Sequence, residues 1–189
     1  MSSNTRRGLV RHLAVLVAAL LLTAGLGAQA TVAPAAPSPE WKTYSYAADG
    51  FSASFPSEPS LQKNNVPTAK GSFELRAYLA IDGEAAVFAG VCDYGSAVAD
   101  RTPDEALDGA QQGAIDNVKA HLVRGRKITL GVYPGREFEA ENDTMHFTAR
   151  VYLVGTTLYQ TLIAAPLAKP YAGVPRFLDS FQLIARVKN

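Results

Sequence analysis

The chain has 189 residues, a single cysteine and a formal net charge of +1 at pH 7. This near-neutral balance gives no general attraction to nucleic acid or to an anionic membrane. One cysteine excludes an internal disulfide bond. Residues 1–30 contain three arginines, no acidic residue, an apolar run at 13–22 and small side chains at Ala28 and Ala30. This order is typical of a cleavable signal peptide.

The remainder of the chain is predicted to be one exported domain. The apolar run at 13–22 is shorter than the about 20 residues that span a bilayer, so we expect no stable membrane insertion after cleavage. Both the general and the twin-arginine export routes are compatible with Arg6 and Arg7. Residues 31–40 are rich in Ala and Pro and indicate a mobile lead-in. Residues 41–189 then form a single domain in an extracytoplasmic compartment, periplasmic or secreted.

The charge of this mature part differs in sign from that of the precursor. Removing the three arginines of residues 1–30 from the 18 Lys and Arg leaves 15, against 17 Asp and Glu. The mature domain is therefore weakly acidic, which again gives no reason to expect nucleic acid as a partner.

The first half of the domain predicts two β-hairpins. Strands flank a turn in each: residues 41–46 and 51–55 around Asp49 and Gly50, and residues 73–81 and 85–94 around Asp82 and Gly83. The first three of these strands alternate apolar and polar residues. Prolines at 56, 59 and 67 predict a loop-rich crossing between the hairpins. The strand at 85–94 is almost wholly apolar, which favours a central position, and its Cys92 is expected to be a buried, inert thiol.

One long helix follows. Thr102 is a suitable N-cap, Pro103 suits the first helical position, and Gly125 is the expected stop. Apolar residues recur at steps of three and four and predict a stripe that packs on a sheet: Leu107, Ala110, Ala114, Val118 and Leu122.

The second half predicts four strands, a short helix and a last strand. The strands are placed at 127–130, 136–141, 145–154 and 157–164, the short helix at 175–180 and the last strand at 182–185. Residues 133–135 are predicted to form a turn between the first two of these strands. This order indicates an α+β fold, an antiparallel sheet covered by one long and one short helix.

Catalytic and metal-binding motifs are absent from the sequence. There is no G-x-S-x-G motif, and no glycine loop for phosphate is followed by Lys and Ser or Thr. His121, predicted on the helix, and His146, at a strand start, form no close ligand cluster, so no metal or cofactor is expected. Glu137, Glu139 and Glu141 share one face of their strand. They could hold a cation or serve acid/base chemistry, although a solvated face is the commoner meaning.

A second candidate surface is suggested by three strands in which Arg or Tyr alternates with aliphatic residues. Each strand carries Arg or Tyr at positions that alternate with its aliphatic residues: Arg76 and Tyr78, then Arg150 and Tyr152, then Tyr159. If these strands are neighbours, the five residues gather on one face of the sheet. Tyr and Arg are enriched at binding hot spots, so this set is a candidate surface for an unknown protein or a small polar ligand. The alternative is an ordinary amphipathic face, either covered by the short helix or in contact with water.

Four segments together carry a family resemblance. They are residues 50–56 (GFSASFP), 133–138 (YPGREF), 150–160 (RVYLVGTTLYQ) and 176–181 (RFLDSF). Their order resembles small exported bacterial proteins of the PsbP-like superfamily. The resemblance implies an α/β/α sandwich around an antiparallel sheet. It also implies a non-catalytic binding or assembly role, as in the photosystem II extrinsic subunit, but no metal-binding or photosystem-binding residue of that family matches a position here.

These observations favour an exported, non-enzymatic binding or assembly domain whose partner the sequence leaves open. Two alternatives remain at this point. One is a small extracytoplasmic hydrolase or lyase that uses the carboxylates or histidines. The other is a purely structural envelope protein. An enzyme should hold His121 or His146 in a concave pocket with a carboxylate and a nucleophile, whereas a binding domain should present an open Arg/Tyr face.

Overall fold

The computed structural model of the protein describes residues 40–68, 71–98 and 100–187. The predicted signal peptide and residues 31–39 of the lead-in lie outside this part of the chain. The strands are β1 (Lys42–Tyr46), β2 (Phe51–Phe55), β3 (Ser60–Thr68), β4 (Gly71–Asp82), β5 (Ala85–Asp93), β6 (His121–Leu130), β7 (Tyr133–Glu141), β8 (Met145–Val154), β9 (Thr157–Pro166) and β10 (Gln182–Leu183). The α-helices are α1 (Pro103–Asn117) and α2 (Val174–Ser180), and a short 3-10 helix spans Gly95–Val98.

The strands form two antiparallel sheets. The large sheet has seven strands in the order β3-β4-β5-β9-β8-β7-β6, and the small sheet has three in the order β1-β2-β10. Helix α1 contacts β6, β7 and β8, whereas α2 contacts β2, β8 and β9. The predicted α+β fold, an antiparallel sheet covered by one long and one short helix, is confirmed. The small sheet and α2 together cover the face of the large sheet that lies opposite α1.

Each face of the large sheet has its own hydrophobic core. The core under α1 is built around Leu107, Phe138 and Phe147. The core under the small sheet and α2 contains Phe51, Phe55 and Phe177, all 0% exposed. Burial of side chains of this size typically contributes about 1.5–3 kcal/mol each, so the two cores fix the order of the layers.

The start of α1 agrees with its sequence and its end does not. The Thr102 side chain accepts a hydrogen bond from the Glu105 N–H, and the Glu105 side chain accepts one from the Thr102 N–H, which is a capping box. The helix ends at Asn117 rather than near Gly125. Lys119 has a φ of 52°, and the Lys119 and Ala120 N–H groups bond the carbonyls of Asp116 and Ile115. This is the hydrogen-bond pattern that usually has glycine at the left-handed position.

The early helix end corrects several predictions. The chain reverses at Lys119, so His121 is the first residue of β6, not a helical residue. Leu122 is 46% exposed on β6 and is not part of the helix stripe, whereas Leu107, Ala110, Ala114 and Val118 are buried as predicted. Ile115, which the predicted stripe omitted, is also buried.

Two predicted irregular segments are strands. The crossing that contains Pro59 and Pro67 includes the nine-residue strand β3. Proline is tolerated there because β3 lies at the edge of the large sheet. Residues 133–135 are the first residues of β7. The turn between β6 and β7 lies before them, where Gly131 has a φ of 59°.

Candidate functional site

The predicted phase of the three Arg/Tyr strands is confirmed. Tyr78, Tyr152 and Tyr159 belong to the core under the small sheet. Their neighbours Ala77, Val151 and Leu158 belong instead to the core under α1. Strand β9 lies between β5 and β8, so the side chains of β8 and β9 are direct neighbours, and Tyr152 and Tyr159 are paired in register.

The tyrosines lack the exposure that a recognition surface would need. Tyr78, Tyr152 and Tyr159 are only 4–5% exposed. The ring centroid of Phe51, from the small sheet, lies 5.2 Å from that of Tyr78. The ring of Phe181 stacks on Tyr152 at 6.0 Å with 9° between the planes. The small sheet and the segment after α2 thus cover the tyrosines, and the five residues form no open recognition surface.

Three of the five predicted residues bond one buried aspartate, Asp49. Asp49, at the β1–β2 turn, is 3% exposed. Its carboxylate accepts hydrogen bonds from the Arg76 Nε and from the Tyr78 hydroxyl, and its backbone oxygen accepts one from the Tyr159 hydroxyl at 2.9 Å. We call these four residues the Asp49 cluster. The buried polar groups of the Asp49 cluster bond one another, which is typical of a structural anchor.

Burial has the largest effect on the pKa values of the tyrosines in this cluster. It raises the pKa of Tyr78, and the hydrogen bond to Asp49 raises that pKa further. Burial likewise raises the pKa of Tyr159 and brings that of nearby Tyr46 to about 12. These hydroxyls therefore stay protonated over the physiological range, and those of Tyr78 and Tyr159 donate hydrogen bonds.

Arg150 is separated from the cluster and lies among opposite charges. Its Nε is 2.7 Å from Glu137 and its Nη1 is 2.8 Å from Asp179 of α2. Glu137 also contacts Arg126, whose Nη2 lies 2.6 Å from its carboxylate. Although burial opposes it, hydrogen bonds from Arg150 and Arg126 hold the pKa of Glu137 below its ordinary value.

These pairs belong to a charged face on the half of the large sheet formed by β6, β7 and β8. The charged face consists of Arg124, Arg126, Glu137, Glu139, Glu141, His146 and Arg150. The three glutamates share one face, as predicted, and each has a cationic or imidazole partner. Arg124 and Arg126 are the most open members, with side chains 75% and 68% exposed.

A depression of about 340 Å³ lies within this face, over β6 and β7. Its lining residues are Arg124, Gly125, Arg126, Glu137, Phe138 and Glu139. Gly125, between the two arginines, points to the opposite face, where a Cβ would lie 3.6 Å from Gln111 of α1. The depression offers guanidinium groups and carboxylates side by side, an arrangement suited to directed hydrogen bonds and ion pairs.

The histidines and the cysteine do not combine into a catalytic arrangement in the described part of the chain. His146 Nδ1 lies 2.9 Å from Glu141, while His121 is exposed at the start of β6. Cys92 is buried, and burial raises the pKa of its thiol to about 12, as suits the predicted inert thiol. No group of three potential metal ligands is found within the described ranges, and no helix there is long and apolar enough to cross a membrane.

Two features of these sites were missed by sequence reasoning. Asp49 was interpreted only as a turn residue, because Asp before Gly is a common turn signal. Arg124 and Arg126 were assigned to the region around the helix end. Their one-residue spacing would have placed both on one face of a strand had β6 been predicted from residue 121.

The fold is similar to that of a cyanobacterial protein of known structure. The solution structure of cyanobacterial PsbP (CyanoP) from Synechocystis sp. PCC 6803 matches with a TM-score of 0.53 and 14% sequence identity. The match covers 84% of this chain and 98% of the other. Likeness at this identity concerns the fold, so the PsbP-like architecture is confirmed. None of the protein-family models matches the chain, and neither does the sequence of any curated protein.

Proposed function

We propose that the chain is an exported, non-enzymatic binding or assembly domain that recognises a protein through its charged face. The observation that carries this proposal is the pairing of open guanidinium groups with half-buried glutamates on one half of the large sheet. Arg124 and Arg126 are more than two-thirds exposed, while their partners Glu139 and Glu137 are 19% exposed. A partner can therefore reach the arginines without disturbing the acids beneath them.

The shape of the site supports binding of a macromolecule over catalysis. Four of the six residues that line the depression are charged, whereas sites for small substrates are mostly apolar clefts with a few convergent polar groups. Its lining contains no Ser, Cys or His, and its two glutamates are held in ion pairs with Arg124, Arg126 and Arg150. Complementary charges of this kind govern specificity and association rate in protein complexes.

The fold supports the same proposal by analogy. A PsbP-like architecture agrees with the binding or assembly role that the family resemblance implies. An exported location is part of the proposal and rests on the signal-like residues 1–30.

Capture from the native envelope tests the proposal. The immobilised mature domain is incubated with envelope extract, bound proteins are eluted with increasing salt, and they are identified by mass spectrometry. The test variant is Arg124→Ala/Arg126→Ala. The matched control is Lys42→Ala/Lys127→Ala, which removes the same charge from exposed residues outside the charged face. Both variants should fold, because exposed ion pairs contribute only about 0–1 kcal/mol.

We expect one set of proteins to be retained by the parent and by the control but lost from the test variant. Retention should weaken as salt rises, since the contacts are exposed charges. Equal retention by the two variants would show that the charged face is not the recognition surface. Absence of any salt-sensitive partner for the parent would favour a purely structural role.

A further inference from the structure

The strand β6 has an open backbone edge. It is the last strand of the large sheet and pairs, among the described residues, with β7 alone. Its first seven residues are all exposed. The register shifts between Leu122 and Arg124, so the regular ladder runs over residues 124–130. At about 3.3 Å per residue this leaves roughly 23 Å of edge whose outward N–H and C=O groups can pair with another strand.

The charge of this edge is of one sign. Residues 121–130 include Arg124, Arg126 and Lys127 and no acidic residue. The other edge of the sheet, β3, carries a single basic residue, Lys63, and contains Pro67, which lacks an N–H. Strand β6 contains no proline. It is therefore the edge better suited to accept an added strand.

We propose that the outer edge of β6 binds an extended acidic segment of a protein partner as an additional strand. This inference rests on the proposed function and names the chemistry of its partner. Backbone hydrogen bonds along β6 supply the pairing, and Arg124 and Arg126 select acidic side chains at alternate positions of the partner. The selected side chains lie on the charged face, beside the depression over Gly125.

The arginines retain donors for this role. In Arg126, Nε and Nη2 lie 2.7 and 2.6 Å from one oxygen of Glu137, while Arg124 bonds Glu139 through Nη2. A guanidinium group has five N–H donors, so each arginine can bond a second carboxylate from the outer side. In the extended sheet each arginine would then lie between a glutamate of β7 and an acid of the partner.

The same charges argue against other occupants. Antiparallel pairing of two copies centred on Gly125 would place Arg124 of one copy opposite Arg126 of the other, and like charges directly opposite are destabilising. Edge charges are a common protection against such self-pairing. A nucleic acid would meet the basic side chains but could not use the free strand edge, and Glu137 and Glu139 line the same depression.

A synthetic peptide tests the inference directly. The probe is an extended peptide of about eight residues, a common strand length, that alternates glutamate with threonine or valine. Binding to the mature domain is measured by fluorescence anisotropy, and the site is located by protection of β6 amides from hydrogen exchange. Two control peptides carry lysine in place of glutamate, or N-methyl groups on alternate backbone amides.

We expect the acidic peptide to bind and to protect residues 124–130. Both control peptides and the Arg124→Ala/Arg126→Ala variant should bind at least roughly tenfold more weakly, a change of about 1.4 kcal/mol. The control variant Lys127→Ala should bind within about twofold of the parent, because Lys127 alternates with Arg126 and lies on the other face, beside Asp104.

Three results would overturn the inference. They are lack of binding by the acidic peptide, equal binding by the N-methylated peptide, or protection of strands other than β6. Envelope capture through Arg124 and Arg126 without peptide binding would leave the proposed function intact and reject strand addition alone. Peptide binding at β6 without any envelope partner would count against the proposed function instead.

Discussion

The hydroxyl group of Tyr159 donates a hydrogen bond of 2.9 Å to the backbone oxygen of Asp49. The bond joins the centre of the large sheet to the β1–β2 turn, 110 residues away in the chain. The carboxylate of the same aspartate is held by Arg76 and Tyr78 of β4. One turn residue thus fixes the small sheet to two strands of the large sheet.

Replacement of Asp49 by Ala should destabilise the fold by about 3 kcal/mol. The change leaves the buried Tyr78 hydroxyl and the 21%-exposed Arg76 side chain without their carboxylate. Loss of one partner of a buried ion pair typically costs about 3–5 kcal/mol. The lower end applies because Arg76 keeps its contact with Glu74. Urea unfolding measures the loss of stability. The control variant is Asp143→Ala, which changes an exposed turn residue. Overlapping curves for the two variants would mean that the Asp49 cluster is not an anchor.

Stability should fall at alkaline pH. Burial raises the pKa of Tyr78, Tyr159 and Tyr46 above the value of about 10 for an unfolded chain. Their stabilisation is therefore complete below pH 10 and is lost as the pH rises through the folded values, about 12 for Tyr46. Urea midpoints between about pH 8 and pH 11 should decline more steeply for the parent than for Tyr78→Phe, which cannot ionise at that position. Equal slopes would contradict this assignment.

The apolar face of α1 should carry much of the stability of its layer. Leu107 is 0% exposed, so Leu107→Ala should cost about 2–5 kcal/mol. Val118→Asp should cost more, because it places a charge at a 9%-exposed site and at the negative end of the helix dipole. Leu122→Ala is the control, since Leu122 is 46% exposed on β6. A large effect of Leu122→Ala in denaturant melts would argue for a longer helix.

The exported protein should begin at Thr31. Ala28 and Ala30 provide the small side chains that a signal peptidase accepts before the cleaved bond. Intact-mass measurement of protein purified from the envelope or medium decides this. A mass that still includes residues 1–30 would contradict cleavage and the exported-domain part of the proposal.

Local patterns in the sequence predict much of the fold. The strand β8 has its predicted bounds, and the Thr102 cap has the predicted role, since alternation and capping depend on neighbouring residues alone. The end of α1 could not be predicted in this way. The residue that adopts the left-handed conformation after the helix is Lys119, although this conformation favours glycine. Gly125 therefore does not mark the helix end.

The candidate site depends on contacts that no local pattern contains. Alternation indicates correctly that Tyr78, Tyr152 and Tyr159 share a face, but their exposure is decided by where the small sheet packs. Phe51 and Phe181 cover them from distant parts of the chain. Arg150 joins the charged face because its guanidinium group pairs with Glu137 of β7 and with Asp179 of α2.

Two glycines provide a matched test of the anchored turn. Gly50 and Gly83 each follow an aspartate in a hairpin turn and have φ values of +76° and +59°. Alanine at either position should cost about 1 kcal/mol, because a side chain disfavours this conformation. At Gly83 the added Cβ meets nothing within 4 Å, whereas at Gly50 it would lie 3.0 Å from the Tyr159 hydroxyl and from Arg186 Cγ. That hydroxyl is held by Asp49 and cannot move away without losing its bond. Gly50→Ala should therefore be clearly more destabilising than Gly83→Ala in urea unfolding, and Tyr159→Phe should reduce the difference by removing the crowded oxygen. Equal losses for the two alanine variants would show that the turn is free to shift and does not anchor the small sheet.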